Sequence, residues 1–300
     1  MLRQLIHFVM VIWLAATLSF FLLRLLPGDA VETQLALGGA SQGDIDRIRQ
    51  AIGLDEPLLN QYGQYIANLS RGNMGYSLTS GLPVSEMIIA RLMPTLTLGL
   101  LAALTAIAVG IGLGLWSGLR IPGYAVANLL TASALAMPIF WTGILAIAIF
   151  SVWLDLFPAT GSGTMGQLVL PVGILAFHTA GPIARIVGAA IHETRDATFV
   201  LAARSRGLGR TYILWRYNLL VIVPTIVGVV VLQTGFLLSG AVITESLFVR
   251  PGLGKLLLQS VVNQDFPVVQ GIVILSAGIY AMLTLVGDSV SRLVDPRLHA

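Results

Sequence analysis

Residues 92–119 read LMPTLTLGLLAALTAIAVGIGLGLWSGL, a stretch bounded by Arg91 and Arg120 that contains no Asp, Glu, Lys or Arg. A bilayer hydrocarbon core of roughly 30 Å is crossed by about 20 helical residues, so this segment is long enough to span one. Five more uncharged stretches share its Leu, Ile, Val, Ala and Gly composition: 4–23, 121–154, 156–184, 217–244 and 266–287. Short polar turns separate them. The pattern predicts an all-α membrane protein with six transmembrane helices in one domain, residues 1–300, without internal repeats or linkers.

Composition supports that class. Of 300 residues, 56% are hydrophobic, mean hydropathy is +0.87, and only 17 Lys+Arg and 14 Asp+Glu are present, about 10% of the chain. Soluble domains carry roughly 25% charged residues, which excludes a cytosolic globular protein, a disordered chain and a coiled coil. The absence of cysteine excludes disulfides, thiolate zinc sites, iron–sulfur clusters and a cysteine nucleophile. A formal charge of +3 lacks the dense basic face that nucleic acid requires and reads instead as a record of membrane orientation. The first apolar stretch starts after Arg3 and runs into Leu25-Leu26-Pro27-Gly28 without an Ala-x-Ala site, so it is expected to stay as a mature helix.

If the N-terminus is inside, the short inner segments hold ten basic residues, among them Arg120, Arg185, Arg195 and Arg216. The short outer ones hold Arg250 and Lys255 only. The long segment from Arg24 to Arg91 is discounted, because long translocated loops escape the positive-inside rule. Both termini are therefore expected in the cytoplasm. Residues 28–91 form an extracytoplasmic insertion with helical signals of its own. Ser41-Gln42-Gly43-Asp44 has capping-box spacing, Ile45, Ile48 and Ile52 recur on one face, and Gly53 marks a stop. A second amphipathic helix is predicted from Pro57, with Leu58, Tyr62, Tyr65, Ile66 and Leu69 on one side and Gly72 after it.

Enzymatic signatures are missing. Pro251-Gly252-Leu253-Gly254-Lys255 has Val249 where a phosphate loop needs Gly and Leu256 where it needs Ser or Thr, so it reads as a Pro-Gly turn. Gly161-Ser162-Gly163 lacks nucleophile-elbow spacing and reads as a flexible turn. The only titratable residues inside the windows considered as a proton path are His7 and His178, and a lone bundle histidine is a packing residue more often than a relay. With neither a nucleotide site nor an acid chain, uphill transport would need energy from a partner. Residues 192–216, longer than a simple turn, suggest where that partner binds. A helix through Ala202 and Ala203 would present small side chains to another protein, Gly207 and Gly209 permit a reversal, and Thr211 is placed to cap the next helix. Arg204, Arg206 and Arg210 fit both positive-inside anchoring and contact with an acidic groove.

This segment resembles the cytoplasmic loop of the permease subunits of bacterial ATP-binding-cassette importers for dipeptides, oligopeptides and nickel. That family carries Glu-Ala-Ala-x3-Gly, matched by Ala202-Ala203-x3-Gly207 with Leu201 in place of the acid, and Ala203-Arg204-Ser205-Arg206-Gly207 is similar to the core of its peptide branch. The resemblance spans the chain. It includes Arg24-Leu25-Leu26-Pro27-Gly28-Asp29, Ile52-Gly53-Leu54-Asp55-Glu56-Pro57-Leu58, Gly72-Asn73-Met74-Gly75-Tyr76-Ser77 and Pro138-Ile139-Phe140-Trp141. Thr244-Glu245-Ser246-Leu247-Phe248, Pro251-Gly252-Leu253-Gly254, Asp265-Phe266-Pro267 and Asp295-Pro296-Arg297 continue it.

The resemblance implies a type I importer permease fold in a bacterial inner membrane. It implies a second homologous permease subunit, two cytoplasmic ATPase subunits or domains that use ATP and Mg, and an extracytoplasmic solute-binding protein. No cofactor or metal is expected in this chain. The coupling contact would fall on Leu201, Ala202, Ala203, Arg204, Arg206 and Gly207. Dipeptides, longer peptides, glutathione and a chelated metal all remain compatible solutes. Reading the residues alone leaves a secondary carrier or an intramembrane enzyme as the alternative. A hairpin with Glu245, Pro251, Gly252 and Gly254 is a candidate outer gate, because irregular backbone at membrane depth must be buried in protein or face water. The competing reading has Glu245 capping its span in interfacial water.

Overall fold

In a bilayer every backbone N–H and C=O must be satisfied within the segment, so uncharged apolar runs fold as helices. The computed structural model describes residues 2–25, 43, 56–195 and 197–294. Its helices are α1 (Leu2–Arg24), α2 (Leu58–Ser70), α3 (Val84–Gly118), α4 (Tyr124–Ala136), α5 (Ile139–Ala146), α6 (Gly166–Arg195), α7 (Thr198–Ser205), α8 (Arg210–Ile213), α9 (Leu219–Leu247), α10 (Leu253–Val262) and α11 (Phe266–Val294). Wider π-helical turns, Ile147–Trp153 and Leu214–Asn218, extend α5 and join α8 to α9. Among the described residues, five helical segments are long and apolar enough to cross a membrane, and α4 with the α5 segment makes a sixth crossing when counted as one. The predicted helix around Ile45, Ile48 and Ile52, with its capping box, lies outside the described residues.

The stretch 121–154, expected as a single helix, is broken. The two halves meet at 113°. Pro138 has no N–H to donate and disfavours the helical region for the residue before it, so Met137 turns extended at φ −85°, ψ 138°. His178 of α6 clasps both sides of the break: its ring contacts the Ala134 carbonyl at 3.0 Å through Nδ1 and the Thr142 hydroxyl at 2.7 Å through Nε2. The packing role expected for this histidine is the one its contacts support.

The chain divides into two compact units, Met1–Pro94 with Pro251–Ala281, and Thr95–Arg250 with Met282–Ala300. In the first, α2 lies against the end of α1. Phe20 meets the rings of Tyr62 and Tyr65 at 5.4 and 5.2 Å, the Tyr62 hydroxyl bonds Thr17, and Arg24 stacks over Phe20 while donating to Gln61. Leu58, predicted on that same side, is 54% exposed. Val84 and Ile88 of α3, Leu253 and Leu256 of α10, and Val268 and Ile272 of α11 form this unit's buried cluster.

The second unit is organised around α6. Gly110, Gly114 and Gly118 recur every four residues on α3 and let its backbone press against that helix. A Cβ on Gly114 would lie 2.7 Å from the Val187 Cβ and 2.8 Å from the Ala184 carbonyl, and one on Gly118 would lie 2.8 Å from the Gly188 carbonyl. Lipid tails are as apolar as the helices, so close van der Waals fit of this kind carries helix association in a bilayer. Ala106, Ala180, Ile183, Val187 and Val229 complete the seam.

Candidate functional site

The segment between α6 and α9 positions α7 as a short helix with one packed and one open face. Ala197 turns the chain extended at ψ 148° and its carbonyl accepts from the N–H groups of Val200 and Leu201 to start the helix. The helix ends where Gly207 takes φ +75°, with its N–H donated to the Arg204 carbonyl and that of Leu208 to the Ala203 carbonyl. A Cβ at Gly207 would meet nothing within 4 Å, so glycine is favoured there by backbone conformation and not by space. Gly209 has no positive φ and contributes no such reversal. Thr211 lies inside α8 and does not precede it as a cap.

Val200 and Ala203, three apart, point inward and pack with Ile213, Leu208 and Tyr217. Ala203 is 3% exposed, so it is not a surface offered to another protein. The open face instead carries Phe199, Leu201 and Ala202, with Arg204 and Arg206 beside them. Leu201 is 53% exposed on a helix outside the long apolar spans. Beneath α7 a cavity of about 320 Å³ is lined by Arg195, Val200, Arg204, Leu208 and Asn218, and Arg204 reaches the Arg195 carbonyl at 3.4 Å.

The end of α9 is built around two buried ionisable side chains, Glu245 and Arg250. Glu245 is fully buried and accepts a 2.6 Å hydrogen bond from the Thr95 hydroxyl, which removes the reading in which it caps the span in interfacial water. Arg250, 3% exposed, donates its backbone N–H to the Glu245 carbonyl at 2.8 Å and its Nη1 to the carbonyls of Gly161 and Gln167. Burial lowers the Arg250 guanidinium from its ordinary pKa, and the nearby Glu245 carboxylate raises it. In the sequence Arg250 reads only as a loop charge; its place five residues after Glu245, across a single turn, is the signal that points to burial. Gly161-Ser162-Gly163 is held more firmly than a flexible turn. The Gly161 N–H bonds the Phe248 carbonyl, and Gln167 Oε1 accepts from the N–H groups of Gly163 and Thr164.

Pro251, Gly252 and Gly254 belong to the other unit and start α10. Gly252 has φ −110° and ψ −179°, a conformation open to any residue, while Gly254 is buried in the first helical turn. Nearby, Asp265 is 1% exposed and its carboxylate collects the Ser77 hydroxyl, the Thr79 hydroxyl at 2.8 Å and the Leu78 N–H at 3.1 Å. This cradle ties the loop before α3 to the start of α11 and explains why Tyr76-Ser77 and Asp265-Phe266-Pro267 stood out in the sequence.

Residues 106–300 match the family described as binding-protein-dependent transport system inner membrane component, and residues 1–99 match the N-terminal part of such a membrane component. A Brucella suis protein named as a peptide transport system permease is 34% identical over 99% of this chain and 98% of its own length. The glutathione transport system permease protein GsiC of Escherichia coli K12 is 30% identical over 99% of this chain and 97% of its own. Among solved structures, an inward-facing MetNI methionine ABC transporter shares the fold with a TM-score of 0.60 at 18% identity, covering 70% of this chain and 97% of its own. An amino acid ABC transporter crystallised with histidines gives a TM-score of 0.51 at 22% identity over 71% of this chain.

Proposed function

Because the chain belongs to the family of inner-membrane components of binding-protein-dependent transport systems, a transport permease and not an enzyme, we propose that it forms half of the translocation pathway of an ATP-driven importer. The other half is a second, homologous permease subunit. Cytoplasmic ATPase subunits supply the energy, using ATP and Mg, and an extracytoplasmic binding protein delivers the solute. The names of the relatives favour a peptide or glutathione-like solute. Both termini lie in the cytoplasm, since the short loops on that side then hold the basic residues.

The observation that carries this reading is the open face of α7. Phe199, Leu201 and Ala202 stand uncovered on a short helix held between the long helices α6 and α9, and its sequence carries the loop pattern described above. In the proposed mechanism an ATPase subunit grips this face, and its change of nucleotide state moves α6 and α9 through the rigid connection made by Val200, Ala203 and Ile213. The outer gate is assigned to Glu245, buried at the far end of α9, and to Pro251, Gly252 and Gly254, which start α10. Residues 28–91 form the extracytoplasmic insertion and 192–216 the coupling segment.

The test compares two tryptophans. Ala202→Trp, on the open face, should abolish co-purification of the ATPase subunits while the permease stays folded. Ala203→Trp, on the packed face, should lower thermal stability as well. Normal ATPase association and transport in Ala202→Trp would defeat the coupling assignment.

A further inference from the structure

Arg185 sits one residue beyond the uncharged part of α6, and among the described residues no hydrogen-bond or ion-pair partner faces it. It borders an open cavity of about 300 Å³ lined by residues of α3, α4 and α6. Polar groups at this cavity are donors. Ser117 Oγ donates to Asn128 Oδ1, which leaves the Asn128 amide N–H groups available, and the Thr131 hydroxyl is also without a partner among the described residues. The cavity has no acidic residue in its lining. A guanidinium, an amide N–H pair and a hydroxyl converging without a carboxylate form a receptor for anionic oxygen, and the planar fork of Arg suits phosphate.

The polarity of the lining changes along α4. Asn128, Thr131, Ala132 and Leu135 follow i, i+3, i+4, i+7 spacing on one face, polar near the helix start at Tyr124 and apolar beyond it. At about 1.5 Å per residue, Asn128 lies about 6 Å from that start and Leu135 about 16 Å. Trp116, one residue before Ser117, donates its indole N–H to the Pro122 carbonyl in the adjoining turn, the placement of an interfacial aromatic. Gly188 and Ala189 keep the α6 wall low. Donors at the interface grading into an apolar wall match a lipid, whose phosphate continues into glycerol and acyl chains; a soluble anion has no use for the apolar half.

We propose that this cavity is a binding site for an anionic phospholipid, with the phosphate held by Arg185, Asn128 and Thr131 and the glycerol end against Leu135. The lack of a carboxylate selects phosphatidylglycerol or cardiolipin over phosphatidylethanolamine, whose ammonium would go unpaired. The site requires only the membrane-spanning reading of the chain. Its leaflet, the inner one, follows from the orientation proposed above, and binding is measured without reference to ATPase coupling.

Full-length chain placed in nanodiscs of mixed phosphatidylglycerol and phosphatidylethanolamine, then delipidated in detergent, is read by native mass spectrometry. Wild type should retain phosphatidylglycerol preferentially, and Arg185→Gln should reduce that retention about tenfold, the scale of one lost charge-assisted contact. Arg185→Lys should keep part of it. Asn128→Leu, which blocks the polar end without removing the charge, should give a similar loss and decides the matter should Arg185→Gln fail to fold. Equal retention of the two lipids by wild type, unchanged phosphatidylglycerol retention in both Arg185→Gln and Asn128→Leu, or displacement of the lipid by millimolar inorganic phosphate would overturn the proposal.

Discussion

Replacing Gly114 by alanine adds one methyl group where the structure leaves no room for it. The new Cβ would lie 2.7 Å from the Val187 Cβ and 2.8 Å from the Ala184 carbonyl oxygen. One neighbour is the root of a side chain and the other is backbone, so no rotamer change relieves the contact. α3 and α6 would have to part locally by about 1 Å to restore ordinary contact, which loosens the neighbouring contacts at Gly110 and Gly118 as well. Overpacking of this kind costs about 1–3 kcal/mol. Gly112, two residues away on the same helix, supplies the control, because a Cβ there meets nothing within 4 Å. Gly112→Ala should be neutral or stabilising by up to about 1 kcal/mol from helix propensity. Thermal unfolding of the detergent-solubilised chain, followed by size exclusion, should show Gly114→Ala well below wild type and Gly112→Ala at or above it. Equal behaviour of the two variants would refute the claim that close approach of α3 to α6 stabilises this unit.

Removing the Arg250 side chain should orphan the buried carbonyls of Gly161 and Gln167, costing about 1–3 kcal/mol; because the Arg250 and Glu245 side chains interact electrostatically, Arg250→Ala with Glu245→Gln should cost less than the sum of the two single changes, and an additive double mutant in the same unfolding assay would argue against coupling of the two. Asp265→Asn replaces an acceptor-only group by one that presents N–H to the Ser77 and Thr79 hydroxyls and the Leu78 N–H, with an expected loss of about 1.5–3 kcal/mol and faster proteolysis of the loop at 73–83. Gly207→Ala meets no atoms but must hold φ +75°, so it should cost about 1–2 kcal/mol locally, visible as faster hydrogen exchange of the Leu208 amide with little change in global unfolding.

The membrane spans were legible because charge is expensive inside a bilayer, and its absence over six stretches leaves few other folds. Counting charges is blind to shape, however, and so it missed the break in the third stretch. Pro138 was in view and was noticed only as a landmark, although a proline inside a long apolar run is itself a signal for a kink. The recurrence of Gly110, Gly114 and Gly118 was equally visible; it marks the face along which α3 meets α6, but spacing alone does not name the partner helix. At α7 the small residues marked Ala202 and Ala203 alike, whereas in the structure Ala203 is packed inward. Which of two adjacent alanines faces outward depends on Ile213 and Tyr217, supplied from beyond the turn. The Glu245 and Arg250 arrangement shows the same limit in another form. Glu245 left both a gate and a solvated cap open and Arg250 read as a loop charge, and only the packing of Thr95 against the one and of the Gly161 and Gln167 carbonyls against the other shows that both side chains are buried.

The most direct measurement is ATP-driven uptake in proteoliposomes that hold this chain alone or together with its second permease subunit, ATPase subunits and binding protein. The account predicts no ATP hydrolysis and no concentrative uptake by the chain alone, and hydrolysis-dependent uptake of a peptide-class solute by the assembled system, lost with Ala202→Trp. Concentrative uptake by the chain alone under an ion gradient would contradict it and establish a secondary carrier.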